Sequence, residues 1–253
     1  MPLYKADMHI HTVLSPCGDL MMSPQNIVEQ ALLCNINILA ITDHNSTKMC
    51  KIVAEVAEEK GITVIPGIEI TTKEEAHCLA YFYNYEQVNE IQKYIEEHLP
   101  FIQNSTEKFG YQLVVDKDEM IIEEVETLLI TALDVSIDKI EQKVHEIGGV
   151  FVPAHIDRPK YSILSQLGFI PPDLRFEALE LSRYTTTEEF GKTYPMYSKF
   201  TFTQSSDAHF IENIGDAYTI YNIENPTLEE IVKAFKNQDN RTIESFGNKA
   251  QSK

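Results

Sequence analysis

The chain is poor in three things: paired cysteines, long apolar runs and positive charge. Its four cysteines, Cys17, Cys34, Cys50 and Cys78, form no Cys-x-x-Cys pair. Nothing in their spacing suggests a disulfide framework, so a reducing cytoplasm is the expected compartment. No stretch approaches the roughly 18 consecutive apolar residues that a membrane span requires. The N-terminal MPLYKADMHIHT lacks a basic region followed by an apolar one, so no secretory signal is expected. Lys and Arg number 21 against 39 Asp and Glu, for a formal net charge of −18. Such a chain repels polyanions at long range, which argues against a basic groove tracking a long nucleic-acid backbone. Divalent ions gathered in one pocket would reverse that field locally, so an acidic protein can still bind a small phosphate.

What is present is an alternation of strand and helix patterns over 253 residues, enough for a full core. Short runs rich in β-branched and aromatic residues predict seven core strands: 5–12, 36–42, 63–71, 77–83, 149–154, 178–182 and 200–205. Between the first two, Ser23-Pro24 reads as an N-cap followed by proline at the first helical position. Helical periodicity also covers 48–60, with Gly61 where a C-terminal glycine belongs. The alternation predicts a parallel sheet with right-handed crossovers, open or closed into a barrel. It loosens over 86–147, where 88–99 reads as a helix and 111–122 as two strands around the turn 116–119. That region is expected to be an insertion into a single domain spanning 1–253.

The histidines carry the chemistry. Six of the eight sit at or just beyond an expected C-terminal strand end: His9 and His11 in DMHIHT, His44 in TDHN, His77 in AHCLAY, His155 in PAHIDRP and His209 in SSDAHF. Asp207 lies two residues before His209, and Glu69 lies within PGIEI. In parallel α/β folds the C-terminal strand ends form the functional face. Strand alternation puts His9 and His11 on one side, as a clamp for a metal. Imidazole with carboxylate suits Zn²⁺, Mn²⁺ or Fe²⁺. His98 and His145 lie in polar helical patterns and are assigned no chemistry. Asp43 points to the opposite side of its strand and reads as a support for the ligands rather than one of them.

These motifs, in this order and over nearly the whole chain, resemble the PHP domain, named for polymerase and histidinol phosphatase. The resemblance implies a distorted seven-stranded (β/α) barrel with two to three divalent ions (Mn, Fe or Zn) at the C-terminal strand ends. It implies that His9 and His11 hold one metal with Asp207 and Glu69. Glu69 would bridge to a second metal on His77 and His155, and His44 and His209 would share a third. The third lacks one ligand, because Pro16 stands where the family has an aspartate. Asp19 matches that aspartate in its distance from Pro24, whereas Cys17 matches it in preceding a glycine. Oxygen suits Mn²⁺ or Fe²⁺ better than a thiolate does, which favours Asp19.

The function implied is hydrolysis of phosphoric esters by water activated between bridged metals. Asp207 or His209 would assist proton transfer, and Arg158 and Arg183 would hold the substrate phosphate. The expected substrate is a small phosphorylated compound such as a nucleotide or sugar phosphate. A 5′-3′ exonuclease or oligonucleotide phosphatase is the alternative within the family, so short nucleic acid stays open as a partner. A non-catalytic metal-binding accessory module is the alternative from another class.

Overall fold

The computed structural model describes residues 1–248. In order, the chain forms β1 (Leu3–Ile10), α1 (Pro24–Leu33), β2 (Ile38–Ile41), α2 (Cys50–Glu58), β3 (Thr63–Thr71), β4 (His77–Tyr81) and α3 (Tyr85–His98). A short α4 (Thr106–Phe109), the strands β5 (Leu113–Val115) and β6 (Ile121–Glu124), α5 (Ile137–Glu146) and β7 (Val150–Pro153) follow. The last part holds α6 (Ile163–Leu167), β8 (Leu179–Leu181), α7 (Thr187–Thr193), β9 (Phe202–Gln204), β10 (Ala217–Asn222), α8 (Leu228–Phe235) and β11 (Thr242–Asn248). All seven expected core strands are there, trimmed by one or two residues at most ends. β10, β11 and the helices after α3 were not expected.

Seven strands make one curled sheet in the order β11-β10-β1-β2-β3-β4-β7. β8 and β9 pair in parallel with each other and span the gap between its two sides. Ile156 N donates to Glu180 O at 2.9 Å beside β7, and His11 N donates to Ala208 O at 3.0 Å beside β1. With Glu177 N to Phe151 O and Ala208 N to His9 O beside them, each seam is closed by two backbone hydrogen bonds rather than a full ladder, which is the barrel's distortion. The expectation of a parallel sheet holds for β1, β2 and β3 but fails at β4, which runs antiparallel to both β3 and β7. The cause is length. A parallel crossover takes a dozen or more residues, whereas 72–76 allows only a reversal.

Strand alternation separates an interior from an outer face. Inside, Ala6, Met8, Ile38, Ala40, Leu79 and Val152 form an apolar cluster. Outside, Leu39 and Ile41 pack on α1 and α2, while Ile68 and Ile70 pack on α3 and α5. Each fully buried aliphatic side chain contributes about 1.5–3 kcal/mol. A core of this extent offsets the cost of burying charge at the rim, where interior positions change to Glu69, His77 and Glu180. Among the described residues no helix is long and apolar enough to cross a membrane.

Candidate metal centre

His9 and His11 stand at the rim end of β1, where the register against β2 shifts between Asp7 and Ile10. Their Nε2 atoms lie 3.2 Å apart. Behind His9, Nδ1 meets Glu180 Oε2 at 3.0 Å. Behind His11, Nδ1 meets Ser15 Oγ at 2.9 Å, and Ser15 Oγ donates its own proton to Asp43 Oδ1 at 2.7 Å. Both arrangements place the ring proton on Nδ1, so each Nε2 presents a lone pair. Those lone pairs face carboxylates as well as each other. His9 Nε2 is 3.3 Å from Glu69 Oε1 and 3.4 Å from Asp207 Oδ1. His11 Nε2 is 3.4 Å from Glu69 Oε2 and 3.3 Å from Asp207 Oδ1. Acceptors converging without a donor between them define a place for a cation.

Glu69, 1% exposed, joins this group to others. Its Oε1 lies 2.9 Å from His77 Nδ1 and 3.1 Å from His155 Nε2. Its Oε2 is 2.9 Å from His44 Nδ1, but the pair is misaligned for a hydrogen bond and both atoms lack a partner, as does His155 Nδ1. An unpartnered buried polar atom costs about 1–3 kcal/mol. Several in one cluster fit the donor set of divalent ions. Among the described residues three overlapping groups could hold an ion, each residue offering one ligand atom: His9, His11 and Glu69; His44, Glu69 and His77; and His11, His44 and His209.

His77 reaches the rim by the antiparallel course of β4. It stands at the start of its strand, not at the end as expected, and a start that runs against its neighbours lies beside their C-terminal ends.

Asp19 does not join His44 and His209. Its Oδ1 accepts from Met21 N at 2.8 Å, and its side chain lines a separate cavity beside Glu29 and Phe210. Cys17, rather than Asp19, lines the same cavity as His44 and His209. The physical reason is the loop. Ser15 N bonds to Thr12 O and Gly18 N to Ser15 O, and these tight turns bring Cys17 to the cavity wall. Counting back from the helix could not register them.

The field of the cluster is strongly coupled. Burial favours neutral imidazoles, but Glu180, Glu69 and Asp207 outweigh it at His9 and raise its pKa. Burial, with His209 and His44 nearby, holds His11 low. Burial opposes ionisation of Glu69 too, yet His77, His9 and His44 keep it well below the usual range. The Cys17 thiol, which burial would raise, is brought down to about 6 by His44 and His209. The cluster calls for positive charge, supplied by protons or by metal.

The cluster opens into a cavity of about 240 Å³ whose walls include Ile130, Arg158 and Tyr161. The Tyr161 ring stacks on His77 with centroids 4.9 Å apart. Arg158 reaches the cavity edge and donates from Nη1 to Asp207 Oδ2. Arg183 lies farther out and donates to Asp216 Oδ2 at 3.2 Å. His98 and His145 are elsewhere, paired with Asp134 at 2.9 Å and with Glu141 at 2.5 Å. Sequence reasoning missed Glu180, Ser15 and Tyr161. Glu180 left a signal, as the one charged residue within the apolar strand ALELS. Ser15 and Tyr161 left none.

A family model described as PHP domain matches residues 7–158, and one described as PHP-associated matches 197–240. The uncharacterized protein YqxK of Bacillus subtilis is 29% identical over 109 residues, covering 41% of this chain and 28% of that protein. The 5′-3′ exoribonuclease Rnm of Salmonella typhimurium is 36% identical over 73 residues, covering 28% of this chain and 24% of that protein. The chain thus spans only about a quarter of either relative. Among solved structures, the lesion-specific endonuclease PfuEndoQ of Pyrococcus furiosus superposes with a TM-score of 0.75 at 18% identity, over 98% of this chain and 59% of that one.

Proposed function

The chain belongs to the PHP-domain family, and on that premise we propose that it is a metal-dependent phosphoesterase acting on a nucleotide or other small phosphate ester. The observation that carries the reading is the convergence of His9, His11, Glu69 and Asp207 on one point with no donor among them. Two to three ions, Mn, Fe or Zn, would be held there by these residues with His44, His77, His155, His209 and Cys17. Ions so held would polarise phosphoryl oxygens and lower the pKa of bound water.

The chain's own residues do the rest. Glu69 ties the groups together, while Glu180 and the Ser15–Asp43 pair fix the faces of His9 and His11. Arg158, 40% exposed and held by Asp207, presents its remaining N–H groups to a phosphate. Asp207 and His209 are partly exposed beside the cavity and are placed to pass a proton to the leaving oxygen. Residues 86–147 form an insertion in what we read as one domain. The free cysteines fit a reducing cytoplasm.

A second reading, a 5′-3′ exonuclease, is favoured by the relative named an exoribonuclease. The two separate in a panel of phosphomonoesters, phosphodiesters and short oligonucleotides assayed with Mn²⁺, Fe²⁺ and Zn²⁺ at several salt concentrations. The small-substrate reading expects higher kcat/KM on mononucleotides and other small esters, with weak salt dependence. Preference for chains of several nucleotides, with activity falling steeply as salt rises, establishes the exonuclease instead. Hydrolysis of nothing in the panel sinks both.

A further inference from the structure

Three cavities lie in series along the rim and share walls. The metal cavity shares Cys17, Arg158, Asp207 and His209 with a second one of about 210 Å³. The second shares Arg158, Ser182 and Tyr184 with a third of about 740 Å³, the size of a pocket for a whole small molecule. A phosphate bound at the metal cavity therefore has a continuous path past Arg158 for whatever it is attached to. Tyr184 stands where the second and third cavities meet.

Tyr184 is 68% exposed, yet it is tethered. Arg183 Nη2 donates to its hydroxyl at 3.0 Å, and the Arg183 guanidinium carbon lies 5.2 Å from the ring centroid. Its backbone N donates to Ser182 Oγ at 3.2 Å. A tethered ring with an open face is a surface on which a flat π system can stack. Beyond it, Tyr194 and Lys160 line the large cavity, and Lys160 makes no hydrogen bond or ion pair among the described residues. Arg158 and Arg183, each paired with a carboxylate, and Lys160 also line this path. Tyr184 shares the second cavity with Cys17, Asp207 and His209, so a group attached to a phosphate bound there passes the ring, and a planar base can stack on it where a bare sugar cannot.

We propose that Tyr184 is the stacking platform for the nucleobase of the substrate, which makes the substrate class nucleotides rather than sugar phosphates. The proposal rests on the phosphoesterase reading for where the phosphate sits, but its test does not require turnover. The chain contains no tryptophan, so Tyr184→Trp installs a single indole at the junction. In the metal-loaded protein its emission should be quenched by adenosine 5′-monophosphate and not by ribose 5-phosphate. Equal quenching by both, or none by either, overturns the proposal.

The turnover arm uses the ratio of kcat/KM for the same two compounds. Tyr184→Leu should lower that ratio about tenfold, the scale of one base–aromatic stack, whereas Tyr184→Phe should preserve it. An unchanged ratio in Tyr184→Leu, or an equal fall in Tyr184→Phe, overturns stacking. The exposed position makes loss of folding no obstacle, and circular dichroism checks it. Quenching without hydrolysis of either compound would leave the platform standing and remove the phosphoesterase reading. Hydrolysis without quenching would do the reverse.

Discussion

Glu180 Oε2 stands 3.0 Å behind His9 Nδ1, 171 residues away in the chain and buried with it. The same oxygen accepts the backbone N–H of His155 at 3.0 Å, so one carboxylate sets two members of the rim cluster. Partners of this kind are worth about 10–100-fold in metal affinity. Glu180→Gln should therefore weaken metal binding by about that factor, read by competition with a chelating dye, while far-UV circular dichroism stays native. Unchanged affinity would reduce Glu180 to a space-filling role.

The third group gives a ranking of two variants. Cys17→Ser should lower metal occupancy and turnover more than Asp19→Ala, because Cys17 lines the metal cavity with His44 and His209 while Asp19 is spent on the Met21 amide. Metal should also protect Cys17 from alkylation by iodoacetamide, followed by peptide mass spectrometry. If Asp19→Ala is the more damaging, the loop must rearrange on metal loading and bring the carboxylate in.

Far from the rim, Glu230 supplies a pH dependence. Arg241 Nε donates to Glu230 Oε2 at 2.8 Å, and Lys233 Nζ lies 2.9 Å from Oε1. Hydrogen bonding from Arg241, more than the partial burial that opposes it, brings its pKa from the usual 4.5 to about 2. A depressed carboxylate stabilises the fold above its unfolded value and loses that contribution as pH falls from about 4.5 towards 2. Glu230→Gln should lower Tm by a few degrees at neutral pH, and the gap to wild type should close across that window. A gap that persists at pH 2 would assign the loss to packing.

The barrel and most of its rim were legible because both are written in local patterns. β-branched runs mark strands wherever they fall, and a histidine at a strand end needs no distant information to be noticed. His9, His11, Glu69, His155 and Asp207 meet as their motifs implied. Direction was less legible. β4 carries the same composition as a parallel strand, and only the brevity of 72–76 reveals its reversal. Loop geometry was least legible: Asp19 has the better spacing from Pro24, but successive turns through Ser15 and Gly18 decide which side chain lines the metal cavity. Tertiary partners such as Ser15 and Tyr161 depend on contacts that no window of sequence contains.

The central claim is that the rim cluster is a metal site, and counting bound metal tests it most directly. Chelator-stripped protein titrated with Mn²⁺ or Zn²⁺, with bound metal determined by elemental analysis after desalting, should approach two to three ions per chain, the number that the overlapping ligand groups can share. The double variant His9→Ala with His11→Ala should lose at least one equivalent, whereas His98→Ala and His145→Ala should lose none. Protein that retains no metal from either titration, or a double variant that retains as much as wild type, would contradict the account.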